Sequence, residues 1–240
     1  MRQDRRPYWL KKLYLKLRSS YVQHFLAPAC DFFGDHATVM KPWYVSISGP
    51  NITIGQCLTI VAEPDAQVKI GVWGREPDDG RIQIGHYVLI SPGTRISAAD
   101  EIVIGNNVMM ANGVYITDSD WHGIYDRVNR PDTDSPVHIG DNVWLGDRST
   151  VLKGVTIGDN SIVAAGAVVS KNVPANVVVA GNPAKVVKHL DSEQGFNRRS
   201  DYYADPESLN RYFDGVDRAV LQKNSFLNWL RMQFWPTRRD

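Results

Sequence analysis

The chain of 240 residues is poor in cysteine, in net charge and in long apolar runs, and each shortage excludes a class of protein. Two cysteines, Cys30 and Cys57, make neither a disulfide framework nor a paired metal motif, so each reads as a buried or incidental thiol. A formal charge of +1 gives no broad cationic surface, and no nucleic-acid partner is expected. No stretch reaches the roughly 18 to 20 apolar residues that span a bilayer. Lys11, Lys12 and Lys16 interrupt the apolar residues near the N-terminus, which argues against a signal peptide and makes a cytoplasmic location the default.

What the chain has instead is a period of six. Ile139, Leu145, Val151, Ile157, Val163, Val169 and Ala175 follow one another at that interval. The spacing fits neither a helix nor an alternating strand. It fits a solenoid in which each unit supplies one short strand, one corner and one inward residue. Asp141-Asn142 and Asp159-Asn160 suit the corners, because Asn and Asp tolerate left-handed backbone. Upstream, Ile84, Ile90, Ile96 and Ile102 keep the step, and Ile104, Met110 and Ile116 resume it after a shift of two. That shift predicts a lengthened corner at Ala99-Asp100-Glu101, where an insertion leaves the stacked faces intact. Ile54 and Ile60 share the spacing and precede an outward loop through Gly74–Gly80.

The ends are different. Arg2, Arg5, Arg6, Lys11, Lys12, Lys16 and Arg18 face a single acid, Asp4, while Trp9, Leu10, Leu13, Tyr14, Leu17 and Tyr21 make a helical stripe. Packing on the solenoid is the preferred role for this amphipathic helix, and its basic-aromatic composition also permits peripheral contact with an anionic inner-membrane surface. Residues 206–235 predict a second helical region, starting at Pro206-Glu207-Ser208, with Trp229 and Trp235 beside Arg231, Arg238 and Arg239. Docking onto the open end of the solenoid is again preferred. The expected layout is an N-terminal helical extension over 1–44, a solenoid over 45–190 with an excursion at 117–138, and a C-terminal helical extension over 191–240.

Ile139-Gly-Asp-Asn-Val-Trp-Leu-Gly146, Val155-Thr-Ile-Gly-Asp-Asn-Ser-Ile162, Ala165-Gly-Ala-Val-Val169 and the closing Val179-Ala-Gly-Asn-Pro-Ala-Lys-Val186 carry a resemblance. They resemble the hexapeptide-repeat acyltransferases, nearest the galactoside and maltose O-acetyltransferase branch, over roughly residues 45–190. The resemblance implies an all-β solenoid of one kind, a left-handed parallel β-helix. It also implies a homotrimer with active sites between subunits, and acetyl-CoA as acyl donor with no metal.

The excursion Thr117-Asp-Ser-Asp-Trp-His-Gly-Ile-Tyr-Asp-Arg127 has no structural purpose in a solenoid, and long loops on rigid scaffolds tend to carry sites. By resemblance, His122 is the general base that deprotonates the acceptor. Imidazole, with an ordinary pKa of about 6.5, can take up a proton near neutrality and pass it on. Asp118 or Asp120 would fix its tautomer, and sequence does not choose between them. Relatives often show His-Pro where this chain has His122-Gly123, so the assignment leans on loop position. His138, at the far root of the loop, is the second candidate for the base. His86 is expected to face solvent or an interface, and His24, His36 and His189 to be structural.

The resemblance further assigns Asn112, Trp121 and Trp144 to the acceptor. Trp144, Gly146, Ala164, Gly166 and Lys185 fall to the donor, with the small residues allowing close approach of a pantetheine arm and Lys185 near the phosphates. The acceptor is expected to be a small molecule or glycan, a sugar or polysaccharide precursor taking the acyl group on oxygen or nitrogen. Ser119 lacks a nucleophile-elbow glycine pattern, so direct transfer is simpler than an acyl-enzyme. Two other functions compete. A γ-type carbonic anhydrase would need three imidazoles around zinc, and the residues just after His122 supply no third. A non-catalytic β-helix scaffold would have little use for the His/Trp/Asp loop.

Overall fold

Each six-residue unit becomes a short strand followed by a tight corner, and three units close one circuit. In the computed structural model, which describes residues 4–237, the chain visits three sheets in rotation. Sheet A stacks Phe32–Phe33, Ile52–Ile54, Arg81–Ile84, Glu101–Ile104, Val137–Ile139 and Thr156–Ile157. Sheet B runs from Thr38–Met40 through Thr59–Val61, Leu89–Ile90, Met109–Met110, Trp144–Leu145 and Ile162–Val163 to Val177–Ala180. Sheet C stacks Val45–Ser48, Val68–Val72, Arg95–Ala98, Tyr115–Thr117, Thr150–Val151 and Val168–Val169. All pairings are parallel until Lys185–His189 folds back antiparallel on sheet B.

The inward residue of each unit lies over its counterpart in the next coil. Ile54, Ile84, Ile104, Ile139 and Ile157 form one buried column, and Ile60, Ile90, Met110, Leu145, Val163 and Val179 another. Full burial of such a side chain stabilises by about 1.5–3 kcal/mol, so the columns dominate the cohesion of the coil.

The corners explain the glycines and asparagines. At the edge from sheet A to sheet B, Cys57, Tyr87, Asn107, Asn142, Asn160 and Asn176 all take left-handed backbone. In the last coils the asparagines also link to one another, Asn142 Nδ2 donating to Asn160 Oδ1 and Asn160 Nδ2 to Asn176 Oδ1, each at 3.0 Å. Coil stacking fixes the glycine two residues before: a Cβ on Gly85 would lie 2.7 Å from the Gly105 carbonyl carbon. That is far inside contact distance, so a side chain there would force the coils apart.

Several coils depart from eighteen residues, two of them by a single pair of residues. Ile84 and Ile104, Ile90 and Met110, and Ile96 and Ile116 are register partners twenty residues apart, and the extra pair sits at the Ala99-Asp100 corner as the spacing predicts. Near the C-terminal end the coil is short instead. Val163 pairs with Val179 and Ile157 with Val173, each sixteen residues on. The expectation that Ala175 points inward is therefore corrected: Val173 is buried in its place and Ala175 is exposed on the corner.

Helix α1 (Tyr8–Tyr21) leads through a wider turn, whose Val22 and Leu26 join the core. The chain ends in α2 (Arg199–Tyr202), α3 (Pro206–Leu221) and α4 (Phe226–Phe234). Asp205 caps α3 by accepting the Ser208 N–H at 2.8 Å, with Pro206 in the first turn. The two ends of the chain pack together. Tyr8 donates to Asp214, Lys11 pairs with Asp217 at 2.5 Å, and Lys12 with Asp214 at 2.8 Å. Arg199 Nε donates to the Tyr87 carbonyl, and Asn107 Oδ1 accepts the Ser200 N–H, both at 2.7 Å, which docks α2 on the A–B edge. Trp9, Leu13 and Leu17 of the predicted stripe stay exposed. Arg2, Arg238 and Arg239, counted among the basic residues of the ends, lie outside the described residues. Among the described residues no helix is long and apolar enough to cross a membrane. Both thiols are free, and burial pushes that of Cys30 up to about 11.

Candidate active site

The chain leaves sheet C after Thr117 and re-enters in sheet A at Val137, so the excursion stands on the C–A edge. Both roots are tied down. Asp118 is fully buried and accepts the Ala99 N–H at 2.7 Å and the Asp100 N–H at 2.8 Å, the corner that the twenty-residue coil lengthens. Burial pushes its carboxyl above the ordinary range, against the pull of the backbone N–H groups around it. Lys153 joins the two arms, pairing with Asp120 at 2.5 Å near the first root and donating to the Thr133 carbonyl at 2.8 Å near the second. Arg75 and Arg130 both reach Asp134, at 3.2 and 2.7 Å.

His122 is exposed on this frame, its Nδ1 3.0 Å from the Arg127 carbonyl oxygen. A carbonyl only accepts, so the hydrogen sits on Nδ1 and the neutral ring presents a bare Nε2. The turn that brings Arg127 round is built by Asp126. Its carboxylate accepts from Asn129 Nδ2 at 2.7 Å and from the backbone N–H groups of Asn129 and Val128, at 3.1 and 3.0 Å. Those bonds hold the Asp126 carboxyl below its usual range. The expectation that Asp118 or Asp120 orients the imidazole is corrected accordingly. Asp118 is committed to the backbone of the neighbouring coil and Asp120 to Lys153, and a main-chain carbonyl takes the orienting role.

Trp121, next to the histidine, has a left-handed backbone with φ of 64°, a strained state for an aromatic residue. It is held there by its N–H to Ser119 Oγ at 3.0 Å and by Nε1 to Thr117 Oγ1 at 3.1 Å. The Arg130 guanidinium lies 5.0 Å from its ring centre. Beside it, over the outer face of sheet C, is a groove of about 600 Å³ that also holds Trp73, Lys69 and Arg95. Sequence spacing gives no sign of this groove, whose lining runs from Ser46 to Arg130.

The residues assigned to the donor, and Asn112 assigned to the acceptor, lie elsewhere. Asn112, Gly146, Ala164 and Gly166 stack along the B–C edge, where the Asn112 carbonyl accepts from Arg148 N–H and the Asp147 carbonyl from Gly166 N–H, each at 2.7 Å. Trp144 stands on the outer face of sheet B between Met109 and Ile162, 46% exposed. Gly166 is open, with no atom within 4 Å of where a Cβ would sit. Gly146 is not: it is buried, and a Cβ would meet Ala165 N at 2.6 Å, so coil stacking by itself requires the glycine. Lys185 is exposed on the closing strand opposite Ala180. Within one chain the excursion and the column from Asn112 to Gly166 thus occupy different edges.

Two of the other histidines have hydrogen-bond partners of their own. His138, the second candidate for the base, bonds to Glu101 at 2.8 Å, and together with Arg81 it holds the Glu101 carboxyl below its usual range. His86 Nδ1 accepts the Gln56 N–H at 3.0 Å. Among the described residues no group of three or more His, Cys, Asp or Glu side chains is placed to hold a metal ion, the arrangement a carbonic anhydrase reading requires.

Comparison with known proteins bears on the coil and the loop together. The bacterial transferase hexapeptide model (six repeats) matches residues 136–171. Galactoside O-acetyltransferase of Escherichia coli K12 is 32% identical over 191 residues, 77% of this chain and 74% of that protein. An Escherichia coli K12 protein named for O-acetyl transfer in lipopolysaccharide biosynthesis is 30% identical over 68% of this chain and 83% of its own length. Among solved structures, a hexapeptide-repeat acetyltransferase of Vibrio cholerae complexed with acetyl coenzyme A superposes with a TM-score of 0.50 at 22% identity, over 73% of this chain and 78% of that one. The match to the galactoside enzyme spans the coil and the excursion alike, and the chain belongs to the hexapeptide-repeat acetyltransferases.

Proposed function

We propose that the protein transfers an acetyl group from acetyl-CoA to a hydroxyl group of a saccharide, with His122 as general base. The observation that carries this is the Nδ1 bond to the Arg127 carbonyl, which leaves Nε2 basic and exposed on an anchored loop. The acceptor oxygen attacks the thioester carbonyl carbon while Nε2 takes its proton. A carbon–oxygen bond forms, and the tetrahedral intermediate then expels the thiolate as the carbon–sulfur bond breaks. The proton on Nε2 goes to the departing sulfur, leaving acetyl ester and free coenzyme A. Throughout, the Arg127 carbonyl keeps its bond to Nδ1–H and favours the imidazolium that forms in between.

The names of the relatives support a saccharide acceptor, and the Vibrio cholerae protein that shares the fold supports the donor. The separation of the two edges supports a homotrimer of left-handed β-helices. Gly166 and Trp144 of one copy would then complete a site with the excursion of the next, the open surface at Gly166 leaving room for a pantetheine arm.

Calorimetry with acetyl-CoA and a thiol-release assay over a saccharide panel test the proposal. Saturable donor binding, with thiol release that depends on a saccharide, is expected. Absence of donor binding sinks the acetyl-CoA reading.

A further inference from the structure

On the outer face of sheet C, two rows of residues run beside the excursion, and Ser46, Ser48, Lys69, Gly71, Arg95 and Ser97 of these rows form the floor of the groove. Ser46, Lys69, Arg95 and Tyr115 are successive register partners in one row, and Ser48, Gly71, Ser97 and Thr117 in the other. Lys69 and Arg95 are thus adjacent like charges on neighbouring strands, an arrangement that costs stability. Among the described residues neither has a carboxylate partner. Arg95 is nonetheless held in place, Nε donating to Ser97 Oγ at 3.1 Å and Nη2 to Tyr115 Oη at 3.0 Å. Its guanidinium carbon is 4.5 Å from the Tyr115 ring centre. Arg130 contrasts with both, since Asp134 neutralises it at 2.7 Å and its Nη1 donates to the Trp73 carbonyl at 2.6 Å.

Two indoles stand over this floor. Trp73 is 60% exposed, and a Cβ on Gly71 would come within 2.9 Å of its Nε1, so the glycine lets the ring lie close to the sheet. Trp121 is fixed by Thr117 and backed by Arg130. Flat aromatic surfaces suit the C–H faces of sugar rings, serine hydroxyls suit sugar hydroxyls, and a pre-organised arginine beside a lysine suits an oxyanion.

We infer that this groove binds the acceptor, and that the acceptor is a saccharide carrying a phosphate or carboxylate group, with the anion on Lys69 and Arg95 and the sugar against Trp73 and Trp121. The inference rests on the saccharide acetyltransferase reading and adds the charge of the substrate. An anion there would relieve the repulsion between the two cations, and Trp121 leads directly into His122.

Tryptophan fluorescence can follow binding without donor or turnover. The probes are the methyl glycosides, 1-phosphates and uronates of glucose and galactose, titrated into the full-length protein. The phosphate or uronate forms are expected to bind at least about tenfold more tightly than the neutral glycosides, the scale of one charge-assisted contact. The phosphate and uronate arms distinguish the two kinds of anion. Lys69→Gln and Arg95→Gln should each remove most of that preference, with melting temperature and acetyl-CoA calorimetry reporting that the fold and the donor site persist. Equal binding of charged and neutral sugars, no saturable binding of either anion, or a preference that survives both substitutions overturns the inference. Thiol release with neutral saccharides alone would leave the acetyltransferase reading standing while removing this one. Failure to bind acetyl-CoA would remove that reading, whatever the fluorescence shows.

Discussion

His122→Ala is expected to lower kcat by about a hundred- to ten-thousand-fold, the usual contribution of a general base. Acetyl-CoA affinity and melting temperature should stay close to wild type, because the ring is exposed and is tied to its own loop through the Arg127 carbonyl. Steady-state thiol release beside donor calorimetry separates the two effects. A variant that keeps more than a tenth of wild-type kcat would move the base elsewhere. Because a main-chain carbonyl orients the ring, replacing either nearby aspartate should not reproduce the loss in the chemical step alone.

The aspartates instead separate by stability. Asp118→Ala leaves the Ala99 and Asp100 N–H groups without their buried acceptor at the lengthened corner. The expected loss is about 2–4 kcal/mol, on the scale of breaking a buried bonded network. Asp120→Ala removes an ion pair whose carboxylate is largely exposed, which is worth less than about 1 kcal/mol. Urea unfolding of the two variants checks the contrast, and equal losses would contradict it. The pH dependence has a definite sign. Burial raises the Asp118 carboxyl above its unfolded value, so between the two values the folded chain binds more protons than the unfolded one. Stability from this group therefore falls as pH rises through that interval, and the margin of wild type over Asp118→Asn should narrow from acid to neutral pH.

Much of the coil is legible in sequence because one inward residue per unit repeats from Ile139 to Val169 and each is buried in register. The lengthened corner at Ala99-Asp100 is legible for the same reason, since an insertion shows as a shift in the period. Ala175 misleads because a two-residue deletion brings a small residue onto the expected step while Val173 does the packing. Gly146 is ambiguous in sequence for another reason: small residues meet the needs of a ligand and of coil stacking alike, and only the 2.6 Å approach to Ala165 shows that stacking requires the glycine.

At the site, His122 and Trp121 stand out in sequence because they interrupt a regular repeat. The partner of His122 does not, since any residue type offers a carbonyl and the turn at Asp126 is what aims it. The sheet C groove is hidden for a topological reason. Lys69, Arg95 and Tyr115 become neighbours by stacking of coils of unequal length, with an outward loop between the first two, so no fixed spacing links them.

The most direct measurement is a crystal structure of the protein with coenzyme A bound. The sulfur is expected about 3–4 Å from His122 Nε2, within reach of proton transfer, with the pantetheine arm passing Gly166 of an adjoining copy. A thiol seated away from the 117–138 excursion in every copy would contradict the general-base role of His122.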